Sequence, residues 1–388
     1  MNRDQTLTSS LAVARPFFEP RHEALAAQLA ETVAPARAAL SAAPKLVAEA
    51  MGASGLDLFR HLLPAEAGGA VDVRSLVLVR EALAQRSAMA DSIFAVQGLG
   101  SFPVLKAGSP ELAEQIRAGV RSGTTVGAFA LTEPEAGTDV ASLQTRATRS
   151  GEDWLLSGEK TLISNVGIAS HYVVFATVDP ALGRKGITAF FVPNSTPGIR
   201  ETELHPSSPH PLGALTFSEC RVPDRYRLGE IGAGFGLAMA TLDTFRISVG
   251  AAANGMAARA LSLALEHVLT RKQFGAPLAE QQQVQAMIAE MATELAEGQL
   301  MVARAAHVRD QGGTASLEAA MAKMSATEKA QRVIDKAVQL SGGRGVLLGS
   351  EVESLYRDIR PLRIYEGTTE IQKVVIARAL YKANAPRG

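Results

Sequence analysis

Close to its C-terminus the chain reads Arg363-Ile364-Tyr365-Glu366-Gly367-Thr368-Thr369-Glu370-Ile371-Gln372. Glu366 stands in an apolar, aromatic setting. A carboxylate desolvated by such neighbours gains proton affinity and enters the range useful to a general base. Gly367 permits a tight turn and a close approach of backbone to a ligand. Thr368 or Thr369 can cap a helix that begins near Glu370 and runs through Val375 to Leu380. A helix start behind a glycine turn also favours anionic groups such as phosphates. The chain has 39 acidic residues, so spacing alone favours a solvated glutamate over a base here.

Five further stretches carry chemistry-capable residues, each with a plain alternative. Leu131-Thr132-Glu133-Pro134-Glu135-Ala136-Gly137-Thr138-Asp139 gathers hydroxyls, a glycine and backbone donors in one turn at a strand end. It suits a planar heterocycle or a pyrophosphate, or is an ordinary acidic turn. The segment Trp154 to Asn165 contains the single tryptophan and reads equally as a hairpin whose indole fills the core. Arg271-Lys272-Gln273-Phe274-Gly275-Ala276-Pro277-Leu278 pairs cations with an aromatic ring, or is a helix C-terminus ended by Gly and Pro. Gln339-Leu340-Ser341-Gly342-Gly343-Arg344-Gly345 is a common glycine turn that also lets backbone approach a phosphate. Asp243-Thr244-Phe245-Arg246 places a guanidinium in an apolar helix, where it needs a structural carboxylate or a ligand as partner.

The elements that must position these residues are legible from periodicity. Helices are expected over Arg21 to Leu40 with a break at Pro35, from Pro44 to Gly52, from a cap at Asp72 through Gln85, and from Ser109-Pro110-Glu111 onward. Leu63-Pro64-Ala65-Glu66-Ala67-Gly68-Gly69 reads as a loop. Strands are expected at Thr125 to Leu131, Leu143 to Thr148, Asp153 to Leu156, His171 to Val178, Gly186 to Val192 and Ala214 to Phe217. Long Ala-rich helices follow over Leu237 to Thr270, Gln281 to Asp310 and Leu317 to Leu340, with a last one after Gly367. The class is α+β: an N-terminal helical domain over 1–123, a middle antiparallel β domain over 124–233, and a C-terminal helical bundle over 234–388.

Composition narrows the function. The 388 residues carry zero formal net charge and no basic stripe, which disfavours a nucleic-acid partner. One cysteine, Cys220, excludes an internal disulfide framework and Cys-based metal clusters, and fits a reducing cytosol. Met1 to Phe18 lacks the apolar run of a secretory signal, and no segment reads as membrane-spanning. The expectation is a soluble cytoplasmic protein.

Together the six motifs, in this order and at these separations, resemble the acyl-CoA dehydrogenase family. TEPEAGTD, RKQFGAPL and YRDIRPLRIYEGTTEIQ carry the resemblance, which covers nearly all of the chain beyond residue 60, with the LPAEAGG loop as a weaker seventh match. It implies an N-terminal helical domain, a middle β domain and a C-terminal four-helix bundle, with FAD between the last two. Phe129, Leu131, Thr132, Gly137 and Thr138, with Leu162, Ile163 and Ser164, would line the flavin. Arg271, Phe274, Gln282, Gln339, Gly342 and Gly343 would hold the adenine half of an FAD in a neighbouring subunit, while Thr368 and Glu370 would approach FAD after the base. The resemblance therefore implies a homo-oligomer, commonly a tetramer built as a dimer of dimers.

The same resemblance makes Glu366 the base that removes the α-proton of an acyl thioester, while a hydride leaves the β-carbon for flavin N5. In the family the base's own backbone N–H and a ribityl hydroxyl of FAD stabilise the enolate. Thr138, Asp243, Arg246, Tyr365 and Gly367 match positions that contact acyl-CoA. Electrons would pass to an electron-transfer flavoprotein. The rivals are an oxidase or monooxygenase on the same fold, and a non-catalytic flavoprotein binding module. Leu162 stands where a tryptophan is common, Thr138 where serine is, and Arg344 where an aromatic often follows the glycine pair. Phe245 occupies an alternative base position, which leaves the role to Glu366. Arg363 reads as a surface residue, or as a partner for a carboxylated acyl tail.

Overall fold

A computed structural model describes residues 9–64, 69–313 and 315–385. The first residues of the N-terminal arm, and 65–68 of the Leu63 to Gly69 loop, lie outside the described residues. The helices are α1 (Ser10–Val13), α2 (Pro20–Thr32), α3 (Pro44–Met51), α4 (Val73–Ala84), α5 (Ala88–Ala107), α6 (Pro110–Ser122), α7 (Gly234–Thr270), α8 (Gln282–Asp310), α9 (Ser316–Ser341), α10 (Glu351–Ile359) and α11 (Thr369–Asn384). The strands are β1 (Gly127–Ala130), β2 (Arg146–Ser150), β3 (Asp153–Ser164), β4 (His171–Thr177), β5 (Ile187–Pro193), β6 (Ile199–Glu203), β7 (Leu212–Pro223), β8 (Arg227–Leu228), β9 (Lys272–Gln273) and β10 (Ala276–Pro277).

Caps fix the helix starts where the sequence puts them. Asp72 accepts from the Ser75 N–H ahead of α4, and Ser109 from the Leu112 N–H ahead of α6. The helix α10 is absent from the sequence reading, although Val352, Leu355 and Ile359 recur at helical spacing and are buried. By length and hydropathy α5 passes for a membrane span, against the sequence reading, but 72% of its apolar window is buried inside the protein.

The chain folds as two compact units interleaved in sequence. The first comprises Met1–Arg37, Asp72–Asp91 and Arg246–Gly388. Its core is Ala-rich: Ala253, Ala257, Ala260 and Ala264 of α7 pack with Met291 and Leu295 of α8 and with Val333, Ile334 and Ala337 of α9. Small side chains let the helix backbones come close. At Gly255 a Cβ would sit 2.3 Å from the Glu81 carbonyl oxygen, so α7 and α4 touch there main chain to main chain.

The second unit comprises Ala38–Val71 and Ser92–Phe245. Its sheet runs β6-β7-β3-β2-β4-β5-β8. The core of this unit joins Trp154, Leu156, Tyr172, Val174, Phe190, Leu215 and Phe217. The antiparallel expectation needs correction at β4, with which β1 pairs parallel (Gly127 with His171 through Ala130 with Val174) and β2 pairs parallel at Arg146 with Thr177. The β2–β3 hairpin lies between β1 and β4 in sequence, which supplies the crossover that a parallel pair requires. Phe245 is fully buried in this unit, edge-on to Phe102 at 5.9 Å.

Candidate active site

In the first unit, a 3-10 segment, Arg360–Arg363, leads into the Glu366 turn, and α11 follows it. Glu366 has φ +53 and Gly367 has φ +91. The glycine accepts this conformation freely, while a Cβ in its place would lie 2.6 Å from Gln372 Nε2. Glutamate does not, and a non-glycine residue there costs about 1–3 kcal/mol. The surroundings hold the strained turn through its carbonyls. The Glu366 carbonyl accepts from Arg246 Nε at 3.1 Å and from Gln372 Nε2 at 3.3 Å. The Gly367 carbonyl accepts from Lys323 Nζ at 2.8 Å and from Gln372 Nε2 at 2.9 Å. With the carbonyls occupied, the Glu366 N–H has no acceptor among the described residues.

Thr368 is the cap of α11, accepting from the Ile371 N–H at 3.4 Å. Thr369 instead donates to Glu328 Oε1 at 2.6 Å. The Arg363 fork lies on the same Glu328, with both contacts at 2.8 Å, so its charge is engaged within the bundle. Thr368 caps the same helix whose exposed Glu370 opens the first turn.

Burial raises the Glu366 carboxyl above its ordinary value, the positive charges of Arg80, Arg246 and Lys323 oppose that rise, and Asp91 adds to it. Its Oε2 atom is buried with no hydrogen-bond partner among the described residues. Lys323 is fully buried and desolvation pulls it down to about 8, against the attraction of Glu366. Tyr365 is 38% exposed, yet burial of its hydroxyl and the negative charges of Asp91 and Glu366 keep the phenol protonated against the opposing Arg80 charge. The carboxylate is thus desolvated among cations, with an oxygen and a neighbouring N–H that have no partner among the described residues.

The remaining first-unit candidates lie elsewhere. Arg271 and Phe274 sit on the hairpin formed by β9 and β10, and exposed Gln282 opens α8. Exposed Gln339, Gly342 and Gly343 close α9. Arg271 and Arg344 both repel a proton on His267, so hairpin and glycine turn share one end of the bundle. Lys323, which holds Gly367, is sixteen residues from Gln339 along α9, about 24 Å at 1.5 Å per residue. Within one chain, therefore, the Glu366 turn and the Arg271 group are far apart.

In the second unit the Thr132 carbonyl accepts from the Thr161 N–H at 3.0 Å, which sets the Thr132–Thr138 turn beside Leu162, Ile163 and Ser164. Lys160 and Glu133 clamp this turn. Lys160 Nζ donates to Glu133 Oε1 at 2.7 Å and to the Leu131 carbonyl at 3.1 Å. Glu133 also accepts from the Gln144 and Thr145 N–H groups at 2.5 and 3.0 Å. Desolvation pulls Lys160 down to about 8, with Glu133 opposing. Leu131 and Ile163 are buried, so they offer a ligand main chain only; Phe129 packs on Phe175 at 4.9 Å. Gly137 and Thr138 are exposed, and Thr132 and Ser164 half-buried. Trp154 fills the core and donates to Asp224 at 2.7 Å, which settles the plain reading of that residue. Asp243 is half-buried on α7.

These residues fit a flavin dinucleotide. Leu162 is 61% exposed at φ +55 and Phe274 is 96% exposed at φ +53. Two apolar side chains held out to water by costly left-handed backbone make sense against a ring system. The clamp on Glu133 and the paired carbonyls of the Glu366 turn are what sequence reading missed. Their signals were Lys160 in a strand and Lys323 in the Ala-rich run SLEAAMAKMSATEKA.

Two family models match the chain: acyl-CoA dehydrogenase, middle domain, over 128–220, and acyl-CoA dehydrogenase, C-terminal domain, over 232–381. The human mitochondrial short-chain specific acyl-CoA dehydrogenase is 39% identical over 335 residues, 85% of this chain and 81% of that protein. The chain belongs to the acyl-CoA dehydrogenase family. Cyclohexane-1-carbonyl-CoA dehydrogenase of Geobacter metallireducens is 34% identical over 92% of this chain and 95% of its own length. Butyryl-CoA dehydrogenase from Megasphaera elsdenii superposes with a TM-score of 0.87 at 32% identity, covering 94% of this chain and 98% of that one. The protein is an oxidoreductase of the acyl-CoA dehydrogenase class, with the family's N-terminal helices, middle sheet and C-terminal helices, and the family implies a flavin.

Proposed function

We propose that this acyl-CoA dehydrogenase desaturates a short or small cyclic acyl-CoA, with Glu366 as base and FAD as cofactor. The observation that carries this is the Glu366 turn: a desolvated carboxylate with an unpaired oxygen, next to an N–H without an acceptor. Glu366 in its ionised form removes the α-proton. Its free N–H donates to the thioester oxygen as negative charge develops there, a form of stabilisation that works best in a desolvated site. Arg246, Gln372 and Lys323 keep the turn in place by holding the Glu366 and Gly367 carbonyls that follow that N–H. Tyr365, Gly367, Thr138 and Asp243 would contact the acyl-CoA.

Phe129, Leu131, Thr132, Gly137, Thr138 and Leu162 to Ser164 would hold the flavin ring, and Thr368 and Glu370 would approach it. Arg271, Phe274, Gln282, Gln339, Gly342 and Gly343 would hold the adenine half of a cofactor bound to another copy, as their separation from the Glu366 turn supports. The bound flavin supplies an acceptor for the β-hydride. The organisation would be a homotetramer that hands its electrons to an electron-transfer flavoprotein. The short and cyclic acyl preference rests on the names of the relatives.

The test is anaerobic bleaching of the bound flavin by CoA thioesters that are short, medium, long, branched, cyclic or dicarboxylic. Butyryl- or cyclohexanecarbonyl-CoA is expected to bleach it fastest. No bleaching by any thioester, at full FAD occupancy, overturns the reading.

A further inference from the structure

The turn that carries Glu366 is gripped from α9 by two side chains. Glu328 Oε1 accepts from Arg363 Nε at 2.8 Å and from Thr369 Oγ1 at 2.6 Å, and its Oε2 accepts from Arg363 Nη2 at 2.8 Å. Lys323, one turn and a half earlier on α9, donates to the Gly367 carbonyl at 2.8 Å. One carboxylate therefore joins the residue three before Glu366 to the residue three after it.

The two joined residues are the ends of the turn. Arg363 closes the 3-10 segment and Thr369 opens α11. Ile364 to Thr368 lie between them, with Glu366 in the middle. Glu366 and Gly367 both have positive φ. Backbone of that kind at a non-glycine residue persists only where its surroundings over-determine it. Arg246, Gln372 and Lys323 hold carbonyls inside the turn, and none of them fixes the distance between its ends. Glu328 does.

Stability alone gives little reason for this link. The Arg363 and Glu328 side chains keep 29% and 25% of their surface exposed, and ion pairs so open to water add little to global stability. A bond across the turn acts instead on where the base stands, and a misplacement of about 1 Å lowers a rate about 10²-fold.

We propose that Glu328 is a positioning residue: by tying Arg363 to Thr369 it fixes the span of the turn, and with it the place of the Glu366 carboxylate and N–H. This rests on the reading of Glu366 as the base.

The experiment takes two readouts on FAD-loaded protein. Single-turnover bleaching with butyryl- or cyclohexanecarbonyl-CoA, whichever reduces the parent faster, separates the limiting rate from the half-saturating concentration. Hydrogen exchange in a peptide covering 360–372 needs no turnover. It reads the hydrogen-bonded amides of Ile364, Tyr365 and Gln372. Glu328→Gln removes the charge and one acceptor, and Thr369→Val removes only the hydroxyl. Each is expected to lower the limiting rate and speed the exchange about tenfold, the scale of one charge-assisted hydrogen bond. The half-saturating concentration is expected to change less than about twofold, with near-parental melting temperatures. Thr369→Ser keeps the hydroxyl and is expected to retain the parent's rate and exchange. The double variant Glu328→Gln with Thr369→Val is expected to lose far less than the product of the single losses, since both break one link. Limiting rates and exchange within about twofold of the parent in folded, FAD-loaded variants overturn the proposal. So does an effect confined to the half-saturating concentration, or a double variant whose losses multiply. If no thioester bleaches even the parent, the base reading fails, and faster exchange in both variants still establishes the tie across the turn.

Discussion

Arg246 Nε donates to the backbone carbonyl of Glu366 at 3.1 Å, so the guanidinium holds Glu366 by its main chain. A left-handed residue flips the local peptide relative to a helical path. With Arg246 and Gln372 on the Glu366 carbonyl, the turn is held in its left-handed conformation. The strain at Glu366 is therefore part of the device that places carboxylate and N–H together.

Glu366→Gln and Glu366→Gly separate those two aspects. The amide keeps the backbone and loses the base, so flavin reduction falls about 10²–10⁴-fold with FAD still bound. The glycine variant is equally inactive but relieves the left-handed strain. After its own entropic cost the net gain is about 1 kcal/mol. Its melting temperature, taken by calorimetry, is expected above those of both the parent and Glu366→Gln. A glycine variant that melts below the glutamine one contradicts the strain argument.

Glu366 was singled out by sequence, yet its backbone was not, because nothing in its side chain signals positive φ; Gly367 alone was read as the turn. The helices α7, α8 and α9 were legible because they are long, Ala-rich and glycine-poor. The nine-residue α10 was not, since it sits between a glycine turn and Pro361. Thr368 and Thr369 could not be ranked as caps from sequence, as the choice depends on Glu328, forty-one residues from Thr369. Lys160 and Arg80 belong to the same kind of blind spot. A lysine in a strand and an arginine in a helix acquire meaning only when the fold supplies Glu133 and Asp91 as partners.

The Lys160–Glu133 clamp supports the turn that would carry the flavin ring. Lys160→Met leaves Glu133 buried with two N–H donors but no countercharge, a loss of about 3–5 kcal/mol. FAD retention on gel filtration should drop with it. Adding Glu133→Gln removes the stranded charge, and most of the lost stability should return in chemical denaturation. If the single substitution leaves both stability and FAD retention unchanged, the clamp is ornamental.

Glu81 gives a pH signature unconnected with catalysis. Both its oxygens accept from the Ser10 N–H, at 3.1 and 2.9 Å, and Gln299 Nε2 adds a bond at 3.0 Å. Burial still dominates and pushes the carboxyl from 4.5 up to about 7. The folded protein thus binds more protons than the unfolded chain in this window. The contribution of Glu81 is fully present below pH 4.5 and is lost as pH rises through about 7. The change is on the order of 3 kcal/mol. In Glu81→Gln the fall in melting temperature across that window should flatten relative to the parent. An identical slope in both proteins refutes the assignment.

Phe274 tests whether the cofactor site is shared between copies. The ring is 96% exposed, so Phe274→Ala should leave the melting temperature of the FAD-free protein unchanged. Burial of a phenylalanine side chain against a ligand is worth about 1.5–3 kcal/mol. FAD affinity should therefore fall about ten- to a hundredfold, measured by fluorescence on reconstitution. If Phe274 serves the same site as its own Glu366, co-expressing Phe274→Ala with Glu366→Gln chains gives no mixed site with both residues intact. If it serves a neighbour's site, one in the mixed assembly combines wild-type Phe274 from one chain with wild-type Glu366 from the other. The 24 Å separation estimated along α9 favours the second arrangement, and turnover should reappear in the mixture. A mixture as inactive as Glu366→Gln alone would place the adenine half within a single chain.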